Sequence, residues 1–141
     1  MRGLLADVNV QGHLSSLRRL LVAADLWPAI AELKVEFKTF TDLQLPRDLD
    51  DRALWDFCQQ EGWILFTENR NDDGPDSLQA TLNNSWRNGH LQVLTLANMR
   101  RFERDQGYAR RVATDVAELV YGIAHSENLD VARIYMPLAG H

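Results

Sequence analysis

Apolar residues along this chain fall into short unbroken runs and into stretches where they recur every three or four positions. The run Leu4-Leu5-Ala6 has no polar residue between its members, which predicts a buried strand over residues 3–8 in a sheet that helices cover on both faces. Residues 12–24 follow with leucines at helical spacing and predict a helix. A strand followed by a helix is the beginning of a βαβ unit.

The same order of strand and helix recurs to the end of the chain. Further strands are predicted over residues 35–40, near a sheet edge, and over residues 63–67, 91–97 and 131–136. Helices are predicted over residues 28–33, over residues 50–61 and from just before Leu78, and residues 42–49 are predicted to be a loop. Residues 98–125 are predicted to form either one long helix or a broken helix pair with Gly107 as the interruption. This order predicts the α/β class, a three-layer α/β/α sandwich with a mostly parallel central sheet, in which residues 1–141 form one domain.

Composition adds constraints on function. The 141 residues carry a formal net charge of −5 with a pI near 5.3, which argues against strong non-specific binding to nucleic acid. The single cysteine, Cys58, lies at an apolar position of a predicted helix and excludes an internal disulfide and a cysteine-based zinc site. A reducing cytoplasm is therefore expected. No apolar run approaches the roughly 18 residues of a membrane span, so we expect no membrane association and no export.

Acidic residues cluster where predicted strands end or helices begin. Asp7 follows the first strand, Asp50 and Asp51 open a helix, and four acids lie between Glu68 and Asp76. Because the carboxyl ends of parallel strands share one edge of a sheet, such side chains can meet there. Two carboxylates about 4 Å apart repel by roughly 4 kcal/mol at an effective dielectric constant near 20, so a cluster needs a cation, a proton or a basic partner. The clusters therefore predict a divalent-metal site.

Each acidic cluster also has a simpler structural interpretation. Asp7 or Asn9 can cap the helix that follows them, and Asp50 or Asp51 can cap the helix over residues 50–61. The acids that follow strand 63–67 can form a solvated turn. Capping and ligand binding are compatible, because a residue at a helix start can still direct its carboxylate toward the sheet edge.

Other polar residues give weaker signals. The four histidines show neither ligand spacing nor a nucleophile partner, so we expect them on the surface or in loops. Phosphate-binding glycine motifs of NTPases and dinucleotide enzymes do not occur in the sequence. Arg100, Arg104 and Arg111 would form a basic stripe on the last long helix. The stripe can contact phosphate, but we expect it to be a solvated face paired with Glu103 and Asp105.

Three short motifs stand in a fixed order along the chain. They are Leu5-Ala6-Asp7-Val8-Asn9, then Asp51-Arg52-Ala53-Leu54 at a helix start, then Ile64-Leu65-Phe66-Thr67-Glu68-Asn69 after Gly62. Together they resemble the core of PIN-like domains, particularly a small bacterial group related to the Mut7-C type. The family pattern has Asp-x-Asn after a strand, Asp-x-x-Ile/Leu in a helix, and a strand ending in Thr-x-Asp-x-Asp. The resemblance covers roughly residues 3–80.

The resemblance implies an α/β/α fold and, in active members, a Mg²⁺- or Mn²⁺-dependent ribonuclease whose acids meet at one sheet edge. Carried to this chain, it implies that Asp7 and Asp51 are the catalytic acids and bind the metal ion. The chemistry would be phosphodiester hydrolysis, in which metal-bound water attacks the phosphate. The other implied residues are Asn69 and Asp72 as metal ligands, and Asn9, Thr67 and Arg70 as contacts to an RNA substrate.

The third motif departs from the family pattern. Where the family has Thr-x-Asp-x-Asp, this chain has Thr67-Glu68-Asn69-Arg70-Asn71, so amides stand at both acid positions. Asn69 can still offer an oxygen to a metal ion, and Glu68 or Asp72 can substitute after a shift of one residue.

Two alternatives remain open. Asp7-Val8-Asn9-Val10 is also similar to the nucleophile motif of haloacid dehalogenase-like phosphatases, but Asn9 cannot act as the general acid of that motif, and no lysine follows Lys38. The second alternative is a non-catalytic PIN-like module that binds a protein partner in a toxin-antitoxin-like or regulatory assembly. The apolar tail over residues 134–138 can be a last strand or a contact in a homodimer.

Overall fold

The computed structural model describes residues 1–68, 77–87, 90–125 and 131–138. Within them lies a five-stranded sheet with the strand order β2-β1-β3-β4-β5. The strands are β1 (Gly3–Ala6), β2 (Glu36–Thr39), β3 (Trp63–Glu68), β4 (Val93–Leu96) and β5 (Arg133–Met136). Every neighbouring pair is parallel, which confirms the predicted fold class.

Helices cover both faces of this sheet. They are α1 (Gln11–Ala23), α2 (Trp27–Glu32), α3 (Phe40–Leu43), α4 (Asp51–Glu61), α5 (Leu78–Ser85), α6 (Met99–Arg104) and α7 (Gln106–Ala124). Buried side chains of α1, α2, α6 and α7 pack with one face of the sheet, and those of α3, α4 and α5 pack with the other. The result is the three-layer α/β/α sandwich that the recurring strand and helix order predicts.

Strand β1 shows why the apolar runs are unbroken. Leu4 and Ala6 belong to the core under α1 and α7, whereas Leu5 belongs to the core under α4 and α5. All three side chains are fully buried. Because successive side chains of a strand point to opposite faces, successive positions of a strand covered on both faces favour apolar residues.

The strand predicted near a sheet edge is β2, at one end of the strand order, and its only strand neighbour in the described sheet is β1. Phe37 packs toward the α1 and α7 core and makes an edge-to-face contact with Trp27, with ring centroids 5.2 Å apart. Glu36 points the other way and is exposed. The alternation of polar and apolar residues in this segment therefore reflects its edge position.

Part of the loop predicted over residues 42–49 is helical. The short helix α3 ends at Leu43, and it begins with a capping box formed by Thr39 and Asp42. The Asp42 backbone N–H donates to Thr39 Oγ1 at 3.1 Å, and the Thr39 backbone N–H donates to Asp42 Oδ2 at 2.9 Å. These two hydrogen bonds satisfy backbone donors that a single helical turn would otherwise leave without partners.

The segment over residues 98–125, predicted as a long helix or a broken helix pair, is a pair of helices, and its break lies at Asp105 rather than at Gly107. Asp105 has an extended backbone between α6 and α7, and its Oδ1 accepts the backbone N–H of Tyr108 at 3.1 Å. Gly107 lies inside the first turn of α7. The predicted arginine stripe therefore does not follow one continuous helix, because Arg104 and Arg111 lie on different helices.

The structure also bears on the single cysteine and on the expected lack of a membrane span. Cys58 is a buried free thiol on the inner side of α4, as its apolar position in the sequence predicts. In the described ranges, no helix combines the length and the apolar character that crossing a membrane requires.

Candidate functional site

Asp7 stands at the point where the strand order of the sheet reverses direction. The chain passes from β1 outward to β2, and it then returns to the other side of β1 to form β3. In open parallel sheets, ligands bind outside the carboxyl ends of the strands at such a switch point. Asp7 directly follows β1 and is 5% exposed, and its backbone N–H donates to the carbonyl oxygen of Phe66 on β3 at 2.8 Å.

The carboxylate of Asp7 is held by a local and a distant hydrogen bond. Its Oδ1 accepts the backbone N–H of Val8 at 2.7 Å, so Asp7 caps the single 3-10 turn that leads into α1. Its Oδ2 accepts the hydroxyl of Thr67, which is fully buried near the end of β3, at 3.1 Å. The predicted capping role is real, and it coexists with a position at the sheet edge.

Asp51 is the first residue of α4, and its neighbour Asp50 caps the helix. Asp50 Oδ1 accepts the backbone N–H of Ala53 at 2.8 Å. Asp51 has a different contact, because its Oδ2 accepts the backbone N–H of Leu78 at the start of α5 at 3.0 Å. Asp50 therefore caps α4, as predicted, whereas Asp51 binds the start of α5.

Asp7 and Asp51 belong to the same end and the same face of the sheet. Helix α4 runs into β3 through Gly62 and packs against it, so the first turn of α4 lies beside the carboxyl end of β3. The lengths agree, since eleven helical residues span about 16 Å and six strand residues about 20 Å. Asp51 precedes Leu54 and Cys58 at helical spacing on the inner side of α4, and Thr67 and Asp7 face that side.

The electrostatics of Cys58 show that the charge of Asp7 reaches α4. Burial, followed by the negative charge of Asp7, raises the pKa of the Cys58 thiol from 9.0 to about 12. Cys58 lies seven residues after Asp51 on the same side of α4, so the charge of Asp7 acts on this helix from the adjacent sheet edge.

A second polar group lies further along the same sheet edge, and it was not predicted from the sequence. Thr67 on β3 is in register with the fully buried Thr95 on β4. The Thr95 hydroxyl accepts the Nε–H of Arg133 on β5 at 2.7 Å, and Gln79 Oε1 accepts a second N–H of Arg133 at 3.0 Å. A threonine inside the buried run Val93–Leu96 was the available signal, because a fully buried strand has little reason to include a hydroxyl.

The remaining predicted site residues divide into two groups. Asn9 lies in the 3-10 turn after Asp7 and is exposed, and Glu68 ends β3 and is partly buried. Asn69, Arg70 and Asp72 lie outside the described residues, as does Asn71. The described part of the site therefore consists of Asp7, Thr67 and Asp51, with Asn9 and Glu68 nearby in the sequence.

The donor chemistry of the described site suits a hard divalent cation only in part. Asp7 and Asp51 offer carboxylate oxygens, the ligands that Mg²⁺ and Mn²⁺ prefer, and Mg²⁺ commonly takes only one or two carboxylates and keeps several waters. Among the residues that the structure describes, no group of three or more His, Cys, Asp or Glu side chains is arranged to hold a metal ion.

His13 is less exposed than the expectation of surface or loop histidines implies. The side chain of His13 lies in α1, is 14% exposed, and its Nε2 is 2.8 Å from Glu103 Oε1 on α6. The ring also packs against Phe102, with centroids 5.7 Å apart. Its partners lie 89 and 90 positions away in the sequence, so spacing alone could not show them. His141 lies outside the described residues.

Comparisons of the chain with protein-family models, with curated proteins and with solved structures give no match. A function for this chain therefore has to be inferred from the residues of its own site.

Proposed function

We propose that this chain is a PIN-like ribonuclease that depends on Mg²⁺ or Mn²⁺ and hydrolyses phosphodiester bonds of single-stranded RNA. The observation that carries the proposal is the position of Asp7, a buried carboxylate at the switch point of a parallel sheet. Asp51 lies at the same end of the sheet and on the same face, which supports a shared site. We also propose that the protein is located in the cytoplasm.

In this proposal the two carboxylates bind the cation, and Thr67 keeps Asp7 in position through its hydroxyl. Asp51 is kept in position by the backbone N–H of Leu78, so the start of α5 contributes to the site as well. A divalent cation held there lowers the pKa of a bound water and stabilises charge on the scissile phosphate. Asn69 and Asp72 are proposed as further oxygen donors, and Asn9 and Arg70 as contacts to the RNA.

A cleavage assay with matched variants tests this function. Fluorescently labelled single-stranded RNA is incubated, once with Mg²⁺ and once with Mn²⁺, with wild type, Asp7→Asn, Asp51→Asn or Asp56→Asn. Asp56 is a suitable control, because it is an exposed acid on α4 that lies 4.0 Å from Arg52. We expect cleavage by wild type and Asp56→Asn, and none by Asp7→Asn or Asp51→Asn.

Two results contradict the ribonuclease proposal. If wild type leaves the RNA intact with Mg²⁺ and with Mn²⁺, the protein has no metal-dependent ribonuclease activity, and the proposal is contradicted. Equal cleavage by wild type and both site variants assigns the activity to another site or to a contaminating nuclease.

The sequence of the third motif favours a second candidate function. Asn69 and Asn71 stand where the family carries acids, so loss of catalysis with retention of the fold is a coherent alternative. The protein would then be a binding module for a protein partner in a toxin-antitoxin-like or regulatory assembly, or for a second copy of itself. This candidate predicts intact RNA with both metals in the assay above.

A further inference from the structure

A groove of about 720 Å³ lies between α1 on one side and α6 and α7 on the other. Apolar side chains form part of its lining, with Leu20 and Ala23 from α1, Phe102 from α6 and Ala109 from α7. Neither Asp7 nor Asp51 lines it, so it is separate from the proposed ribonuclease site. Its volume lies within the range of sites that bind small molecules, about 300 to 1,000 Å³.

Two arginines face this groove from opposite walls. Arg19 on α1 donates to Ser16 Oγ at 2.9 Å, and Arg110 on α7 donates to Gln106 Oε1 at 3.2 Å. Within the described ranges, neither guanidinium has a carboxylate at ion-pair distance, in contrast to Arg101. Each head group is therefore oriented by a neutral partner and keeps its full positive charge.

The acid in the groove lining contacts neither arginine. Glu103 Oε1 accepts a hydrogen bond from His13 Nε2 at 2.8 Å, and that contact joins α6 to α1. The groove thus presents two arginines that form no ion pair with a carboxylate of the described residues, beside a partly apolar surface, in a protein whose formal net charge is −5. A ligand that suits this combination has an anionic end and an apolar body.

We propose that this groove binds a small organic phosphate with a flat apolar body, of which a nucleoside monophosphate is the simplest form. A phosphate has several charged oxygens in different directions, so guanidinium groups on opposite walls can each bind one side of it. A carboxylate has one planar edge and suits a single arginine better. The base packs on the apolar lining near Phe102. This site does not depend on the metal site or on ribonuclease activity.

Calorimetric titration with adenosine monophosphate in a buffer containing EDTA tests the proposal. Inorganic phosphate and adenosine are titrated separately, because each carries only half of the proposed chemistry. We expect the monophosphate to bind more tightly than either half, and Arg19→Gln or Arg110→Gln to weaken its binding about tenfold. Arg100→Gln, which removes an exposed arginine of α6 that does not line the groove, should leave binding unchanged.

Gly12 offers a second variant that does not remove charge. A Cβ at Gly12 would meet open space outside its own helix, and Gly12 lines the groove, so Gly12→Trp places a large side chain at the groove from a position where its Cβ does not clash. We expect this variant to lose monophosphate binding and to keep the wild-type melting temperature.

Several outcomes overturn the proposal. They are no binding of the monophosphate by wild type, equal binding by wild type and the two groove arginine variants, or monophosphate binding no tighter than that of phosphate or adenosine alone. Binding of a single-stranded oligonucleotide without binding of the monophosphate would instead make the groove part of a path for a nucleic-acid strand, and would also overturn the small-molecule site.

Discussion

The hydroxyl of Thr67 donates a hydrogen bond of 3.1 Å to Asp7 Oδ2, which joins the ends of β3 and β1. The two residues are 60 positions apart in the sequence, and each belongs to one of the motifs that resemble PIN-like domains. Both side chains are buried, Thr67 at 0% and Asp7 at 5% exposure. Thr67 therefore fixes the orientation of the carboxylate on which the proposed metal site depends.

Removal of this hydroxyl should destabilise the protein. Thr67→Val keeps the shape of the side chain but leaves the buried Asp7 carboxylate without one donor, and we expect a loss of about 1 to 3 kcal/mol in the free energy of unfolding. Thr67→Ser keeps the hydroxyl and serves as the control, with a loss of about 1 kcal/mol from the missing methyl group. Urea unfolding measures both values. A Thr67→Val variant as stable as wild type would show that the hydrogen bond contributes nothing.

Stability should fall at alkaline pH because of Cys58. Burial first, and Asp7 second, raise the pKa of this thiol from 9.0 to about 12. Between these values the unfolded chain loses a proton that the folded protein keeps, so the contribution of Cys58 to stability is complete below pH 9 and is lost as the pH rises toward 12. Urea unfolding at about pH 8 and about pH 10.5 should show a smaller decline for Cys58→Ala than for wild type.

The effect of the Asp7 charge on the pKa of Cys58 can be separated from the effect of burial. Asp7→Asn removes the smaller of the two causes and should lower the pKa of Cys58 part of the way toward 9.0. The pH dependence of thiolate absorbance in the folded protein reports this change. An unchanged pKa in this variant would mean that the charge of Asp7 does not reach the thiol.

Gly3 and Gly12 should respond to alanine in different ways. A Cβ at Gly3 would overlap the backbone carbonyl oxygen of Glu36 on β2, whereas a Cβ at Gly12 meets open space. We expect Gly3→Ala to cost about 3 kcal/mol, because β1 and β2 must move apart. Gly12→Ala lies in the first turn of α1 and should be neutral or stabilise by up to about 1 kcal/mol. Thermal unfolding of both variants measures the two effects. Equal changes in stability for Gly3→Ala and Gly12→Ala would contradict the close contact between β1 and β2 at Gly3.

Much of the fold follows from local pattern. Unbroken apolar runs predicted β1 and β3, because strands covered on both faces favour apolar residues at successive positions. Gly62 correctly marked the end of α4, where its backbone is left-handed with φ 88°. Local pattern did not predict the helix boundaries that are set by side-chain caps. The capping box of Thr39 and Asp42 created α3, and the cap at Asp105 divided the last helices.

The candidate site was predictable only where its residues follow strands directly. Asp7 could be identified because it ends an apolar run, and the parallel sheet then determines its position at the carboxyl edge. The contact of Arg133 with Thr95 spans 38 residues, and that of His13 with Glu103 spans 90. Such contacts depend on strand order and helix packing, which local spacing in one sequence does not contain.

Titration of the protein with Mn²⁺ by calorimetry tests the metal site most directly. We expect wild type and Asp56→Asn to bind Mn²⁺ with similar affinity, and Asp7→Asn and Asp51→Asn to bind it at least about tenfold more weakly. Asparagine at position 51 keeps an oxygen that can accept the Leu78 N–H, so the fold contact is preserved while the charge is removed. No binding by wild type, or equal binding by all four proteins, would contradict a metal site formed by Asp7 and Asp51.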